Sequence, residues 1–575
     1  MSAPSPPPNP LARLAASRLG HAEADADAER GRRNPYAHRL FLVIDSVPEM
    51  QRALAMTLAS FGADKVEYAG RASDALAKLA KYDFDVVLCD YDLGNGYDGL
   101  YLFEEVKARN LIKQSCVFMI VTGERRAQRV ISAAELAPDD YLLKPFTGEL
   151  LSQRLERAMR RREAFKVVDA AVQRHDYLSA IEICNRMLAE RGEFTLDFMK
   201  LKGSLALKIE DFHTARALYR EVLAVKEVGW AKLGLAKALT GLRAYDEARG
   251  LFEEVLLENG RVMEAYDWLA RLHSANHRKV EAQAVLKTAT ELSPVVIRRQ
   301  QALAELALGN NDLATAEAAC QTTLDLAKYT WHRQPTLYAD LARVQLARGE
   351  TAQAGRTLAS LRRDYRYDEV GEWMADVIDS QIHAQSGQAQ KARQLLAAAK
   401  ERHKLLSPRL TPDAQMAFAR ACYAQKDDAA GDAVMGELVR NHHDDEALLS
   451  RIGALFDETS RGEAGRELIS ANVQTVVDLN NAAVKEAQAG RYEAAIERFA
   501  RAHEEMPDNI QVTLNLVNAT LAMVHRQGWH ESHMRRAHEL MLKVRKTVPT
   551  HAKFQKLQQA WRQTVDKLGM SQWSL

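Results

Sequence analysis

Between Leu40 and Leu143, short apolar runs alternate with segments of helical periodicity. Phe41-Leu42-Val43-Ile44 ends in Asp45, and Asp85-Val86-Val87-Leu88-Cys89 ends in Asp90. Cys116–Val121 ends in Thr122, and Asp140-Tyr141-Leu142-Leu143 runs into Lys144-Pro145. A weaker strand is expected at Lys65–Ala69, and helices over Pro48–Phe61, Ser73–Lys81 and Leu100–Arg109, with one more before Asp140. Unbroken apolar strands that alternate with helices predict a parallel sheet covered on both faces. In such sheets the chemistry gathers beyond the carboxyl ends of the strands, where Asp45, Asp90, Thr122 and Lys144 all fall.

After about Arg160 the strands stop and the pattern is helical throughout. A small residue recurs between amphipathic halves, at Ala180, Ala215, Ala248, Ala282, Ala316, Ala354, Ala392, Ala430, Ala464, Ala495 and Ala537. The period is about 34 residues, as expected for stacked helical hairpins, and alanine lets the two helices of a hairpin approach closely. Residues 1–38 begin Ser-Ala-Pro-Ser-Pro-Pro-Pro after Met1 and read as a disordered tail with a short helix near Leu11–Leu19. The tail lacks the apolar core of a secretory signal. The expected organisation is therefore a tail over 1–38, an α/β domain over 39–162, nine to eleven repeats over 163–550, and a capping helix with its tail over 551–575.

Composition narrows the function. The 575 residues hold 78 basic and 77 acidic side chains, a formal charge of +1, which argues against wholesale nucleic-acid binding. The five cysteines are scattered with no C-x-x-C pair, so neither a disulfide framework nor a zinc site is expected. No apolar run reaches the ~18 residues of a membrane span, and a cytoplasmic setting follows as the expectation.

Taken together, Phe41–Ser46, Asp90, Asp98-Gly99, Thr122-Gly123 and Lys144-Pro145-Phe146 resemble the receiver domain of two-component response regulators. The resemblance spans about residues 39–162 and implies a doubly wound, flavodoxin-like, five-stranded parallel sheet. Gly490–Phe499, with Ala495, Phe499, Ala502 and Pro507, resembles the tetratricopeptide repeat, which implies an all-α superhelix with a binding groove.

The receiver resemblance implies roles. Asp90 is the phosphoacceptor and, with Asp45 and the backbone carbonyl of Asp92, a ligand of Mg²⁺. Lys144 pairs with the phosphoryl oxygens, while Thr122 and the aromatic Tyr141 form the switch. A cation is needed because a carboxylate must approach a highly charged phosphoryl group. The family's second acid is replaced by Ser46, a poorer ligand, so weaker Mg²⁺ binding and slower phosphotransfer are expected. The loop Leu93–Asp98 carries an extra residue, placed at Gly96.

Other motifs carry less. Gly94-x-Gly96-x-x-Gly99 spells a dinucleotide fingerprint, but Asp90 and Asp92 would repel a pyrophosphate. His530-Glu531-Ser532-His533 lacks the spacing of the zinc-protease motif, and His442-His443-Asp444-Asp445 reads as a polar turn. Arg125, Arg126, Arg129, Arg154, Arg157 and Arg160–Arg162 read as solvated helix faces partnered by Glu124, Glu135 and Glu156.

The expectation is a phosphorelay regulator that is no enzyme on an external substrate. It would take phosphate at Asp90 from a histidine kinase or phosphotransfer protein, and a protein or peptide would lie in the repeat groove. Nucleic acid and membrane are not expected partners. Two alternatives stay open: a constitutive scaffold with an inactive pseudo-receiver, and a phosphate sink for a kinase.

Overall fold

The computed structural model describes residues 35–93, 99, 102, 103, 106, 111, 112, 116–123, 138–328, 333–573 and 575. The expected tail helix at Leu11–Leu19, the loop insertion at Gly96, Asp98, the basic residues Arg125, Arg126 and Arg129, and most of Leu100–Arg109 lie outside them.

Two compact units divide the chain, residues 1–170 and 171–575. The first holds a sheet of five parallel strands: β1 (Leu40–Ile44), β2 (Lys65–Ala69), β3 (Val86–Cys89), β4 (Val117–Thr122) and β5 (Asp140–Leu143). Their order is β2-β1-β3-β4-β5. Helices α1 (Pro48–Ser60), α2 (Ala72–Lys81) and α3 (Gly148–Gln173) flank them.

The central strands β1 and β3, and β4 up to Thr122, are apolar at every position because both faces are covered, whereas the edge strands β2 and β5 carry Lys65, Glu67 and Asp140. Leu42, Ile44, Val87, Cys89, Phe118 and Ile120 pack on one side with Ala75 and Leu79 of α2 and with Leu102, Phe103 and Val106. Phe41, Val43, Val86, Leu88, Val117 and Met119 pack on the other with Leu54 and Leu58 of α1 and Leu151 and Leu155 of α3. Each fully buried leucine or valine contributes about 1.5–3 kcal/mol. This core fixes the strand ends that carry the polar residues. Arg162 ties α3 to the sheet edge: its Nη2 donates to Asp139 Oδ2 at 2.8 Å, and Asp139 Oδ2 also accepts from the Phe118 N–H at 2.8 Å.

The second unit is a row of antiparallel helical hairpins that starts at α4 (Tyr177–Ala189) and ends with the helix Ala552–Lys567. Its repeat is clearest in the backbone. Ten turns between consecutive helices among the described residues place a left-handed residue at His175, Glu210, Arg243, His277, Asn311, Gly349, Gly387, Lys426, Ser460 and Gly490. Seven of these are not glycine, so composition hides the turn. The next residue caps the second helix, and Asp176, Asp211, Asp312 and Asp427 do so with carboxylates that accept from backbone N–H groups at 3.2–3.3 Å.

Five residues after each left-handed position comes the buried small residue. It is alanine in eight hairpins, all of them at sequence-expected positions. In the other two it is glycine, one residue beyond the alanine expected: Gly431 rather than Ala430, and Gly465 rather than the exposed Ala464. The cause is the bulk opposite. A Cβ on Gly431 would lie 2.3 Å from the ring of Tyr423, and one on Gly465 2.3 Å from the ring of Phe456. The last hairpin turns differently, through Gly528, and buries Met534 along with Ala537. Wide spacing around Ala392 follows from the long helices Glu369–Gln385 and Ala389–Leu406. Near Ala495 the spacing tightens because Gly462–Gln488 is one continuous helix that packs on both neighbouring helices.

The first and last helices of this unit touch. Gln555 accepts from the Tyr177 N–H at 2.8 Å and donates to the carbonyls of His175 at 2.6 Å and Pro549 at 2.7 Å. Arg562 pairs with the buried Asp176 and donates to Ser179 Oγ at 3.1 Å.

Candidate functional site

β1 and β3 are adjacent and parallel, with Ile44 opposite Cys89, so the residues that follow each strand emerge side by side. Those residues are Asp45 and Asp90. Because β2 and β3 flank β1 on opposite sides, the crevice opens at the point where the strand order reverses.

Lys144 joins the two acids. Its Nζ donates to Asp45 Oδ2 at 2.8 Å and to Asp90 Oδ2 at 2.7 Å. The lysine reaches them from the end of β5, where its backbone N–H donates to the Thr122 carbonyl at 2.7 Å. Asp45 is 1% exposed. Burial pushes its carboxyl above the usual range and the charge of Asp90 adds to this, while the hydrogen bonds from Lys144 and the Val47 N–H pull it down. Burial also works against the Lys144 ammonium, but its bonds to Asp45 and Asp90 prevail and hold the amine above the ordinary lysine range.

Backbone contacts shape the rest of the crevice. The Asp92 N–H approaches Asp90 Oδ1 at 3.3 Å, and Ser46 Oγ donates to the Asp92 carbonyl at 3.2 Å. Gly99 donates its N–H to the Tyr91 carbonyl at 2.7 Å. A Cβ at Gly99 would lie 2.2 Å from the Asp90 carbonyl oxygen, so only glycine fits beside the acid. Thr122 is buried at the end of β4. Tyr141 lies opposite Ile120 in the β4–β5 ladder and packs on the core face that holds Phe118 and Ile120. Side chains alternate along a strand, so Thr122 and Tyr141 share that face.

The expected site residues thus converge on one crevice: Asp45, Ser46, Asp90, Asp92 and Lys144 directly, with Thr122 and Tyr141 at its edge. Gln51 escaped the sequence reading. Its Nε2 donates to the Asp45 carbonyl at 2.6 Å and the Ala69 carbonyl at 3.2 Å, pinning the ends of β1 and β2 together. A glutamine on a helix face gives no signal of such a role. The basic helix α3 also finds partners the sequence did not indicate: Arg154 pairs with Asp140 at 3.0 Å and Arg162 with Asp139.

The residue match extends to known proteins. Residues 41–156 match the response regulator receiver domain. The chain is 31% identical over 120 residues to chemotaxis protein CheY-3 of Vibrio cholerae, a span of 21% of this chain and 91% of the relative. The chain belongs to the response regulator receiver family. Among solved structures, a CheY-like receiver domain protein from Methanospirillum hungatei is 23% identical, with 22% of this chain and 96% of that one covered at a TM-score of 0.20. A tetratricopeptide repeat protein from Parabacteroides merdae is 15% identical, with coverage of 42% and 91% and a TM-score of 0.28.

Receivers of this family use a divalent cation. The residues here suit one in kind, since two carboxylates share a single ammonium and a carbonyl oxygen lies alongside. They fall short in number: among the described residues no group of three acidic, histidine or cysteine side chains could hold a metal. The histidine motifs add none. The rings of His530 and His533 lie tilted against each other with centroids 4.4 Å apart, and His443 bonds Asn509 at 3.0 Å. No described helix is long and apolar enough to cross a membrane.

Proposed function

We propose that this receiver is a phosphorelay component in which Asp90 accepts a phosphoryl group and the change gates protein binding by the repeat array. The observation that supports the reading most is the Lys144 ammonium held between Asp45 and Asp90. A carboxylate oxygen of Asp90 attacks the phosphorus of a phosphohistidine on a kinase or phosphotransfer protein. The P–N bond breaks, the imidazole leaves, and an acyl phosphate forms on Asp90. Lys144 exchanges its bond to Asp90 for one to a phosphoryl oxygen.

Asp45, Asp90 and the Asp92 carbonyl would hold Mg²⁺, which supplies positive charge against the incoming phosphoryl group. Thr122 turns its hydroxyl toward the phosphoryl oxygens, and Tyr141, on the same face, changes its packing in response. Incubation with acetyl phosphate and Mg²⁺ tests the first step: an acyl phosphate forms on the wild type and not on Asp90→Asn. Absence of label from the wild type, or equal label on both, rules the reading out.

A second reading, a constitutive scaffold, is favoured by the Ser46 bond to the Asp92 carbonyl, which engages an oxygen the metal would use. Partner capture separates the two. Equal capture by phosphorylated wild type and Asp90→Asn supports the scaffold, and unequal capture supports gating.

A further inference from the structure

Three helices of the array, Thr195–Lys208, Gly229–Gly241 and Met263–Ala275, pack directly on one another as alternate members of consecutive hairpins. Their shared face carries an excess of cations. Lys237 is only 12% exposed and forms an ion pair with Glu264. Even so, its amine lies below the ordinary lysine range: burial is the main cause, the positive charges of Lys200 and Arg271 add to it, and the pairing with Glu264 opposes it. Asp267, the other carboxylate on the third helix, is already committed to Arg299, with its oxygens 2.8 and 2.9 Å from the guanidinium nitrogens.

An aromatic ring lies among these charges. Trp268 is half-buried, with the Arg271 guanidinium 5.3 Å and the Lys237 amine 6.0 Å from its centre. Lys200, Lys237 and Arg271 around a partly open indole form a surface on which cations outweigh the available carboxylates. The carboxylate paired with Lys237, Glu264, is itself 57% exposed, so an incoming carboxylate can replace it.

We propose that this face, Lys200, Lys237, Trp268 and Arg271, docks an acidic peptide segment of a partner protein. The proposal rests on the reading of the array as a protein-binding surface and specifies its chemistry. Neighbouring helices lie about 8–10 Å apart, and an extended chain advances about 3.3 Å per residue. Cations on successive helices therefore meet carboxylates at roughly every third residue, and an apolar side chain between them lies over Trp268. A nucleic-acid polyanion fits less well with the near balance of 78 basic and 77 acidic side chains over the chain.

The test uses the full-length chain and a fluorescein-labelled peptide of four Glu-Ala-Phe repeats, read by anisotropy. The wild type binds, and Arg271→Glu and Lys237→Gln each weaken binding about tenfold, the equivalent of one lost charge pair of ~1.4 kcal/mol. Arg220→Gln, whose partner Glu247 lies on another face, stays within about twofold. Arg271 is exposed, so Arg271→Glu remains folded and informative even where Lys237→Gln destabilises the helix row. A Lys-Ala-Phe peptide of the same length gains affinity for Arg271→Glu.

No binding by the wild type, or equal binding by the variants, overturns the site. So does a twelve-residue oligothymidylate that binds as tightly as the peptide and is lost in the same variants, which would mark a nucleic-acid surface. The assay runs on unphosphorylated protein, so failure here leaves the acyl-phosphate test of Asp90 untouched, and the reverse also holds.

Discussion

The Gln555 side-chain carbonyl accepts a hydrogen bond from the backbone N–H of Tyr177 at 2.8 Å, across 378 positions of sequence. The same side chain donates to two carbonyls, and it is 1% exposed. A buried group with all its bonds made is worth little more than its parts, but removing it strands every partner. Gln555→Ala should therefore destabilise the array by about 2–3 kcal/mol. The measurement is denaturant unfolding combined with hydrogen exchange: protection should fall first at Arg174–Ala189 and in the helix Ala552–Lys567. Unchanged protection at both ends would show that the contact is incidental.

At the phosphorylation crevice, Gly99→Ala places a methyl 2.2 Å from the Asp90 carbonyl oxygen. Backbone has to move, and it moves at Asp90. Acyl phosphate formation should drop at least tenfold while the sheet unfolds with a loss of about 1–3 kcal/mol. Labelling with acetyl phosphate and a thermal melt together check this. A normally labelled Gly99→Ala chain would refute the close approach.

Ser46→Asp should raise Mg²⁺ affinity and the rate of acyl phosphate formation. The substitution adds the third carboxylate that the crevice lacks and removes the hydroxyl from the Asp92 carbonyl. Metal titration by isothermal calorimetry reads affinity without turnover. A fall in Mg²⁺ affinity would contradict the donor set described.

Stability and chemistry oppose each other at Asp45. Its carboxyl is held above its unfolded value, chiefly by burial, so the folded chain binds the proton more tightly than the unfolded one. The stability contribution of this group therefore declines as pH rises from the unfolded carboxylate range through the folded value, and is lowest above it. Asp45→Asn removes that cost and leaves Lys144 paired with Asp90. The variant should be more stable than wild type at pH 7 and should lose the advantage as pH falls through the ordinary carboxylate range. Unfolding curves across that range decide it; an Asp45→Asn chain weaker at pH 7 overturns it.

Two glycines of the helical array, one crowded and one open, test packing directly. Gly465→Ala sets a methyl 2.3 Å from the Phe456 ring, and the cost should be about 1–3 kcal/mol. Gly250, within the helix Tyr245–Glu258, has no atom within 4 Å of its missing Cβ, so Gly250→Ala should stabilise by about 0.5–1 kcal/mol. Thermal melts of the two variants should shift in opposite directions.

The sheet was legible because a strand buried on both faces has no room for polar residues, so Phe41–Ile44 and Val117–Val121 announce themselves. The acids at strand ends were legible for the converse reason: a charge directly after an apolar run needs a purpose. The hairpin turns were not. Glu210, Arg243 and Lys426 adopt a left-handed backbone without being glycine or asparagine, and only the surrounding helices hold them there. The small-residue register slipped at Ala430 and Ala464 because an adjacent glycine, matched to Tyr423 or Phe456, carried the contact. Gln51 and Gln555 act through carbonyls distant in sequence, and no local pattern encodes such a partner.

The meeting of the first and last helices also governs what changes of length the array tolerates. An open stack of hairpins can gain or lose a unit, since each one contacts only its neighbours. Here an added or deleted hairpin would carry Gln555 and Arg562 away from Tyr177 and Asp176 by the width of a repeat. The contact acts as a gauge, and the number of hairpins between Asp176 and Arg562 is as constrained as any single side chain in the core.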